Sequence, residues 1–276
     1  MTTRSIALAL TGAVPALIAM WLLDRLDAKR PEPLKTRWLI SVAGMASVIP
    51  AVFLELALMR TVGESVPPLG TYQGASFHAF VVAAAVEEAC KIAVVYWLVW
   101  SRPEFDERMD GIVYAGRAGL GFALVENVMY LLNDAPLRDQ LILWIERALL
   151  AVPGHAMWTG MIGAMAARRR FDGRGLGLFA GYLLAVAFHG AYDCTVFVSR
   201  PLHLEGHDTL RAILVAGPVA LTIAAFFVLR GFIKTALQLD DIDAATRAAR
   251  AAVVLVQVTA SVDTVEAVAV IEPPTT

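Results

Sequence analysis

Residues 76–100 read SFHAFVVAAAVEEACKIAVVYWLVW, an apolar stretch with Glu87, Glu88 and Lys91 at its centre. A membrane-spanning helix needs about 20 mostly apolar residues, so the stretch is long enough to cross a bilayer. A charged side chain in the middle of such a helix costs about 2.5 to 3.5 kcal/mol on insertion scales. The stretch therefore predicts a transmembrane helix whose charged groups have partners or a function.

Comparable apolar runs follow one another along the chain. They lie at roughly 5–23, 38–59, 76–100, 111–132, 140–167, 175–198 and 210–234. Of the 276 residues, 58% are hydrophobic and 17% are charged, whereas soluble domains have about 25% charged residues. We therefore predict an all-α, polytopic membrane bundle of about seven transmembrane helices. Pro153-Gly154 should kink or break the fifth run, since proline removes a backbone donor, and a break would make the count eight.

The distribution of Lys and Arg between the connecting segments predicts the orientation, because cytoplasmic loops carry the excess of positive charge. Three alternate connections hold eleven basic residues: 25, 29, 30, 35, 37, 102, 108, 168, 169, 170 and 174. The opposite side holds five: 4, 60, 138, 200 and 211. The bias predicts an N-terminus outside the cell and a C-terminus in the cytoplasm.

Two regions are expected from this pattern. Residues 1–237 form the transmembrane domain, with a core at about 76–198 that carries the polar motifs. Residues 238–276 are expected to be a cytoplasmic, partly disordered tail to which the sequence assigns no function. The net charge of −2 provides no basic field, which excludes nucleic acid as an expected partner.

Ionisable residues also interrupt the three runs that follow residue 100. Glu126 with Asn127 lies in the fourth run, His155 in the fifth, and His189 with Asp193 in the sixth. Residues three or four apart on a helix are neighbours, so His189 and Asp193 share a face, as do Glu126 and Tyr130. Counted from the outer helix ends at 1.5 Å per residue, these groups lie at depths of about 8 to 22 Å, a spread that an error of a few residues in the helix bounds would close. The spacing predicts one shared polar cavity in the outer half of the bilayer.

Several of these residues also admit a purely structural interpretation. Adjacent Glu87 and Glu88 cannot share a helix face, so one is expected to pair with Lys91 while the other faces the cavity. A buried pair of this kind need have no chemistry. Glu146 and Arg147 lie near a helix end and are interpreted as interfacial.

Four motifs resemble those of the PrsW family of bacterial membrane proteases. They occur in order on successive hydrophobic runs, over about residues 80–195: Glu87-Glu88-Ala-Cys-Lys91, Gly121-Phe-Ala-Leu-Val-Glu126-Asn127-Val-Met-Tyr130, Pro153-Gly-His155-Ala-Met-Trp-Thr-Gly160 and His189-Gly-Ala-Tyr-Asp193. More distantly, the chain is similar to the CAAX prenyl endoproteases and to bacteriocin-processing proteins. Ala89 stands where many relatives have proline or leucine, and Gly154 where they often have a second proline.

The resemblance implies a multi-pass peptidase of the cell inner (plasma) membrane that cleaves a membrane-anchored protein. Its expected partners are the lipid bilayer and a single-span substrate such as an anti-sigma factor, cut on the extracytoplasmic side. The implied catalytic residues are Glu87, Glu88, Glu126, His155 and His189, and the supporting ones are Lys91, Asn127, Tyr130 and Asp193.

Two chemistries remain open for peptide hydrolysis, which needs an activated water, oxyanion stabilisation and a proton for the leaving amine. In both, a carboxylate of the Glu87/Glu88 pair acts as general base. In the first, His155 and His189 bind zinc together with Glu126 or Asp193, since two histidines and a carboxylate form a known catalytic zinc site. In the second, no metal is present and the histidines donate protons.

Two other functions would also place ionisable groups inside the membrane. A proton-coupled transporter buries such residues in a chain, but it usually shows inverted repeats, and we find none in this sequence. A catalytically silent relative that binds membrane proteins is the third alternative.

Overall fold

The computed structural model describes the backbone of residues 2–271 and their side chains, except those of residues 64, 255, 256 and 258–271. The described chain is helical and contains no strand. The helices are α1 (Thr3–Thr11), α2 (Val14–Leu26), α3 (Leu34–Ala46), α4 (Val48–Val62), α5 (Tyr72–Phe77), α6 (Ala85–Leu98), α7 (Arg108–Leu131), α8 (Leu137–Glu146), α9 (Val152–Asp172), α10 (Gly177–Phe197), α11 (Ser199–Leu204), α12 (Asp208–Leu214) and α13 (Ala216–Ile271). A short 3₁₀ turn, Gly63–Ser65, follows α4, and two π-helical segments, His78–Ala84 and Arg147–Ala151, precede α6 and α9.

Five helical stretches within the described residues are long and apolar enough to cross a membrane. They are Thr3–Leu26, Leu34–Val62, Leu137–Asp172, Gly177–Leu204 and Asp208–Val254. Large apolar side chains on these stretches face outward, among them Phe53, which is 68% exposed, and Phe179, which is 69% exposed. Such a surface suits a lipid environment, because it would be costly to expose to water.

The fifth apolar run stays helical through Pro153 and does not divide into two segments. Pro153 lies in the first turn of α9, directly after the π-helical segment Arg147–Ala151. A π turn closes with i→i+5 bonds, so the hydrogen-bonding pattern already changes where the proline lacks its donor. The expected break is therefore absent, and the local change is a wider helical turn.

Helix α7 is the central element of the bundle and packs against α9, α3, α2, α1 and α6. Its small residues permit this packing. A Cβ on Gly119 would lie 2.3 Å from the carbonyl oxygen of His155, and a Cβ on Gly111 would lie 2.5 Å from that of Gly163. Larger side chains would force α7 and α9 apart, and hence would separate Glu126 on α7 from His155 on α9.

The chain forms two compact units, Met1–Ala236 and Leu237–Thr276. All of the ionisable groups described below belong to the first unit. The second unit is helical as far as Ile271. Residues 272–276, on which part of the prediction of a disordered tail falls, lie outside the described residues.

Candidate active site

Four helices bring their ionisable groups to one point inside the first unit. Glu87, Glu88 and Lys91 come from α6, Glu126 from α7, His155 from α9, and His189 with Asp193 from α10. Most of these side chains are inaccessible: Glu88 and Lys91 are fully buried, and both histidines are 2% exposed. The structure thus places the sequence-derived candidates from four separate segments in a single cluster.

Lys91 lies at the centre of this cluster. Its ammonium donates to Oε2 of Glu87 at 2.9 Å, to Oε1 of Glu88 at 3.0 Å and to Nδ1 of His155 at 2.8 Å. The expectation that only one of the two glutamates pairs with Lys91 was therefore wrong. Residues three and four positions before a lysine both lie within reach of its long side chain, although they do not lie on the same line along the helix.

Glu88 is surrounded by donors on both of its oxygens. Oε1 accepts from Nδ1 of His189 at 3.0 Å as well as from Lys91, and Oε2 accepts from the Thr159 hydroxyl at 2.7 Å. A carboxylate can only accept, so Nδ1 of His189 carries the proton. Glu88 therefore holds the His189 ring in one orientation and has no oxygen free for substrate.

The second nitrogen of His189 faces two carboxylates. Nε2 lies 3.3 Å from Oδ2 of Asp193 and 3.8 Å from Oε2 of Glu87. Trp158 stacks on the imidazole, with ring centroids 4.3 Å apart, and limits its rotation. Because Nδ1 holds the ring proton, the space between Nε2 and the two carboxylates calls for a further proton or a cation.

His155 is fixed in the complementary way. Nε2 is 2.8 Å from Oε2 of Glu126 and therefore donates to it, while Nδ1 accepts from Lys91. Metal-binding histidines in proteins usually donate a hydrogen bond from one ring nitrogen to a carboxylate, while the other nitrogen faces the metal. Glu126 serves His155 in this way, and Glu88 serves His189.

The remaining predicted residues lie around this core. Asn127 is buried, and its amide donates to the carbonyl oxygen of Gly12 at 2.6 Å. Tyr130 is 47% exposed and lies under the guanidinium of Arg147, 4.0 Å from the ring centroid, with no hydrogen bond to a carboxylate among the described contacts. Asp193 is the least buried of the four carboxylates, with a side chain that is 19% exposed, against 16% for Glu126.

The geometry fits a bound divalent cation, with one change from the ligand set expected from the sequence. One ligand atom each from Glu87, His155 and His189 all lie within 4.8 Å of one another, and all three residues are buried. Two histidines and one carboxylate are a donor set that catalytic zinc takes. Glu87 takes the place of Glu126 and Asp193 in this set, because Glu126 lies behind His155 and Asp193 is not among the three residues whose ligand atoms come together.

Sequence reasoning missed several residues of the site. Arg147, interpreted as interfacial, is buried and contacts Glu126 at 2.7 Å. Thr159 lies one turn beyond His155 on α9, and that spacing could have marked it. Glu55 on α4 is partly buried, and α4 packs against α6, which carries Glu87 and Lys91. It interrupts an apolar run, so the criterion that selected the other glutamates applies to it too.

Comparison with known proteins identifies the relatives of this chain. Residues 32–229 match the model of the PrsW family intramembrane metalloproteases. Protease PrsW of Geobacillus kaustophilus is 33% identical over 184 residues, which cover 66% of this chain and 76% of that protein. Protease PrsW of Clostridioides difficile is 28% identical over 68% of this chain and 79% of its own length, and that of Oceanobacillus iheyensis is 29% identical over 79% and 93%. No solved structure matches.

The buried cluster of carboxylates and histidines within apolar helices defines, with these relatives, a membrane-embedded peptidase. The chain belongs to the PrsW family of intramembrane proteases.

Proposed function

We propose that this protein is a metal-dependent endopeptidase that cuts a single-span membrane protein near the extracytoplasmic face of the cell inner membrane. The observation that carries the proposal is the approach of Glu87, His155 and His189, whose ligand atoms lie within 4.8 Å of one another inside an apolar bundle. The metalloprotease description of the matching family supports the same chemistry.

The charges in the site are compatible with a bound divalent cation. Four carboxylates lie within 4 Å of a histidine nitrogen (Glu87, Glu88, Glu126 and Asp193), and two cations, Lys91 and Arg147, contact them. With neutral histidines the set has an excess of two negative charges, which is costly inside a membrane protein. One divalent cation at Glu87, His155 and His189 would balance it.

A bound zinc ion would polarise the scissile carbonyl and lower the pKa of a bound water. The residues of the chain would orient the ligands, balance charge and transfer the proton. Glu88 and Glu126 hold His189 and His155 by their outer nitrogens. Lys91 neutralises Glu88, and its ammonium would have to give up Oε2 of Glu87 and Nδ1 of His155 to the cation. The general base expected from the Glu87/Glu88 pair is assigned instead to Asp193, because both oxygens of Glu88 are occupied and Glu87 is a proposed ligand. Asp193, the most exposed carboxylate in contact with a site histidine, would accept the proton of the water and return it to the leaving amine.

We further propose seven crossings, with the N-terminus outside and the C-terminus in the cytoplasm. Beside the five apolar stretches, residues 72–98 and Arg108–Leu131 are helical and long enough to cross, and they contain the site's glutamates. The bias of Lys and Arg supports this orientation. In this orientation Asp193, the least buried carboxylate of the site, lies toward the outer end of α10, so a substrate would enter from the extracytoplasmic half of the bilayer.

The substrate class we propose is a single-span protein such as an anti-sigma factor. The test reconstitutes the purified protein in liposomes with a panel of single-span proteins that includes anti-sigma factors, and it follows fragments by mass spectrometry. We expect one cut per substrate, lost in His155→Ala and Glu87→Gln. Solute uptake without any cleavage would instead favour the transporter alternative, and neither activity would indicate a silent binding protein.

A further inference from the structure

Arg147 makes three contacts with one face of α7. Its Nη2 donates to Oε2 of Glu126 at 2.7 Å and its Nε donates to Oδ1 of Asn127 at 2.7 Å. Its guanidinium also lies 4.0 Å from the centre of the Tyr130 ring. The side chain is only 11% exposed. A buried arginine with two charge-assisted or polar hydrogen bonds and an aromatic platform has one preferred geometry.

The π-helical segment Arg147–Ala151 explains why this arginine reaches the site. Arg147 and His155 are eight residues apart, and in a regular α-helix side chains eight apart point about 80° away from each other. A π turn contains one additional residue, which brings the two positions back to nearly the same face. As a result, Arg147 and His155 both contact Oε2 of Glu126, at 2.7 and 2.8 Å.

We propose that Arg147 is a positioning residue for the hydrolytic site, acting through Glu126 on His155. By holding Oε2 of Glu126, it fixes the oxygen that accepts the Nε2 proton of His155, which leaves Nδ1 directed toward Lys91 and Glu87. The role of the site in peptide hydrolysis is taken from the proposed function, whereas the effect on histidine orientation stands on the contacts alone.

Asn127 provides the second anchor for the guanidinium. Its Nδ2 donates to the carbonyl oxygen of Gly12, at the break between α1 and α2, and this bond directs Oδ1 toward Arg147. Lysine could replace the charge of Arg147 but not its fork of donors, so it could satisfy Glu126 or Asn127 and not both. The lysine variant should therefore restore the function only in part.

The experiment compares Arg147→Met and Arg147→Lys with Glu146→Gln, an exposed neighbour in the chain, as the matched control. Cleavage kinetics and zinc affinity, the latter by competition with a chromogenic chelator, are measured on full-length protein in detergent. We expect Arg147→Met to lower kcat and zinc affinity by about 10- to 100-fold, the usual effect of removing support behind a ligand, with KM near that of the wild type. Arg147→Lys should fall between Arg147→Met and the wild type, and Glu146→Gln should match the wild type.

A double mutant then shows whether Arg147 acts through Glu126. If it does, Arg147→Met combined with Glu126→Gln should lose little more than Glu126→Gln alone, because the two residues serve one contact. Additive losses, or wild-type kcat and zinc affinity in Arg147→Met, would overturn the proposal. Should Arg147→Met fail to fold, Arg147→Gln is measured with the same expectations. A wild-type protein that cleaves nothing would refute the proposed function, while the zinc affinities would still decide the role of Arg147.

Discussion

Nε2 of His155 and Oε2 of Glu126 lie 2.8 Å apart, although the two residues are 29 positions apart in the chain and α8 lies between them. Among the described residues, only Glu126 brings a carboxylate to this nitrogen. The contact connects α7 to α9 within the site. The contact makes Glu126 a support for the ring of His155.

Glu126→Gln should therefore weaken the site without dismantling it. The amide keeps the shape of the side chain but loses the charge that favours a proton on Nε2 of His155. We expect kcat to fall by about 10- to 100-fold, with a parallel loss of zinc affinity and an unchanged helical circular dichroism spectrum. Asp139→Asn, a change at an exposed position of α8, is the control and should match the wild type. Full activity in Glu126→Gln would contradict the assignment.

Lys91 should make a large contribution to stability. It is fully buried between Glu87 and Glu88, and removing one partner of such a group leaves uncompensated charge in the interior. We expect Lys91→Met to destabilise the protein by about 3 to 5 kcal/mol. Thermal unfolding in detergent would show this as a large loss of Tm, with the exposed Lys234→Met as control. A Tm equal to that of the wild type would show that the lysine is dispensable for the fold.

Glu32 offers a pH-dependent test at the opposite, cytoplasmic end proposed for the bundle. It lies in the loop between α2 and α3, is 6% exposed and accepts a hydrogen bond from the Tyr114 hydroxyl. Burial raises the pKa of its carboxyl above the ordinary 4.5. The folded protein therefore holds this proton more tightly than the unfolded chain does, and the stability it contributes is lost as the pH rises from about 4.5 through the folded pKa.

Glu32→Gln cannot lose a proton and should remove that part of the pH dependence. We expect the Tm of the wild type, measured from just above pH 4.5 to neutral pH, to fall more steeply than that of Glu32→Gln. Glu205→Gln, at an exposed position, is the control and should follow the wild type. Parallel curves for the wild type and Glu32→Gln would show that Glu32 titrates alike in the folded and unfolded states.

The sequence predicts the helical class and the polar residues of the site because both depend on local information. Apolar runs of sufficient length indicate membrane helices, and ionisable residues within them are conspicuous. Arg147 could not be predicted in this way. A π turn decides which face it occupies, and no composition signal marks that turn. The pairing of Lys91 with both glutamates was likewise missed, because face counting ignores the reach of a long side chain.

The choice of metal ligand depends on contacts between helices that are distant in the sequence. In the proposed metal site Glu87 takes the place of Glu126 because α7 presents Glu126 behind His155. The close approach of α7 and α9 at Gly119 permits that contact. Spacing within one helix gives no information about it. Spacing placed His189 beside Asp193, but it could not show which carboxylate faces which nitrogen of either histidine.

Metal removal separates the two chemistries that the sequence left open. If a divalent cation balances the charges around Glu87, His155 and His189, dialysis against a strong chelator should abolish cleavage and zinc should restore it. Metal analysis of the purified protein should find about one ion per chain, the stoichiometry of a single catalytic zinc site. The same treatment should leave Glu87→Gln inactive before and after zinc is added. Activity that persists after complete metal removal would support the glutamate-dependent mechanism instead.

Asp193 and Glu87 should then fail in different ways, although both face Nε2 of His189. Glu87→Gln removes a proposed ligand, so both zinc affinity and cleavage should fall. Asp193→Asn removes a proposed proton acceptor, so kcat should fall by about 10²- to 10⁴-fold while zinc affinity stays near that of the wild type. Asp208→Asn, whose side chain is 74% exposed, is the control for a lost surface carboxylate. Loss of zinc affinity in Asp193→Asn would show that Asp193 is a ligand. An unchanged kcat would show that Asp193 is not the proton acceptor, because an amide cannot take the proton and the step would be slower.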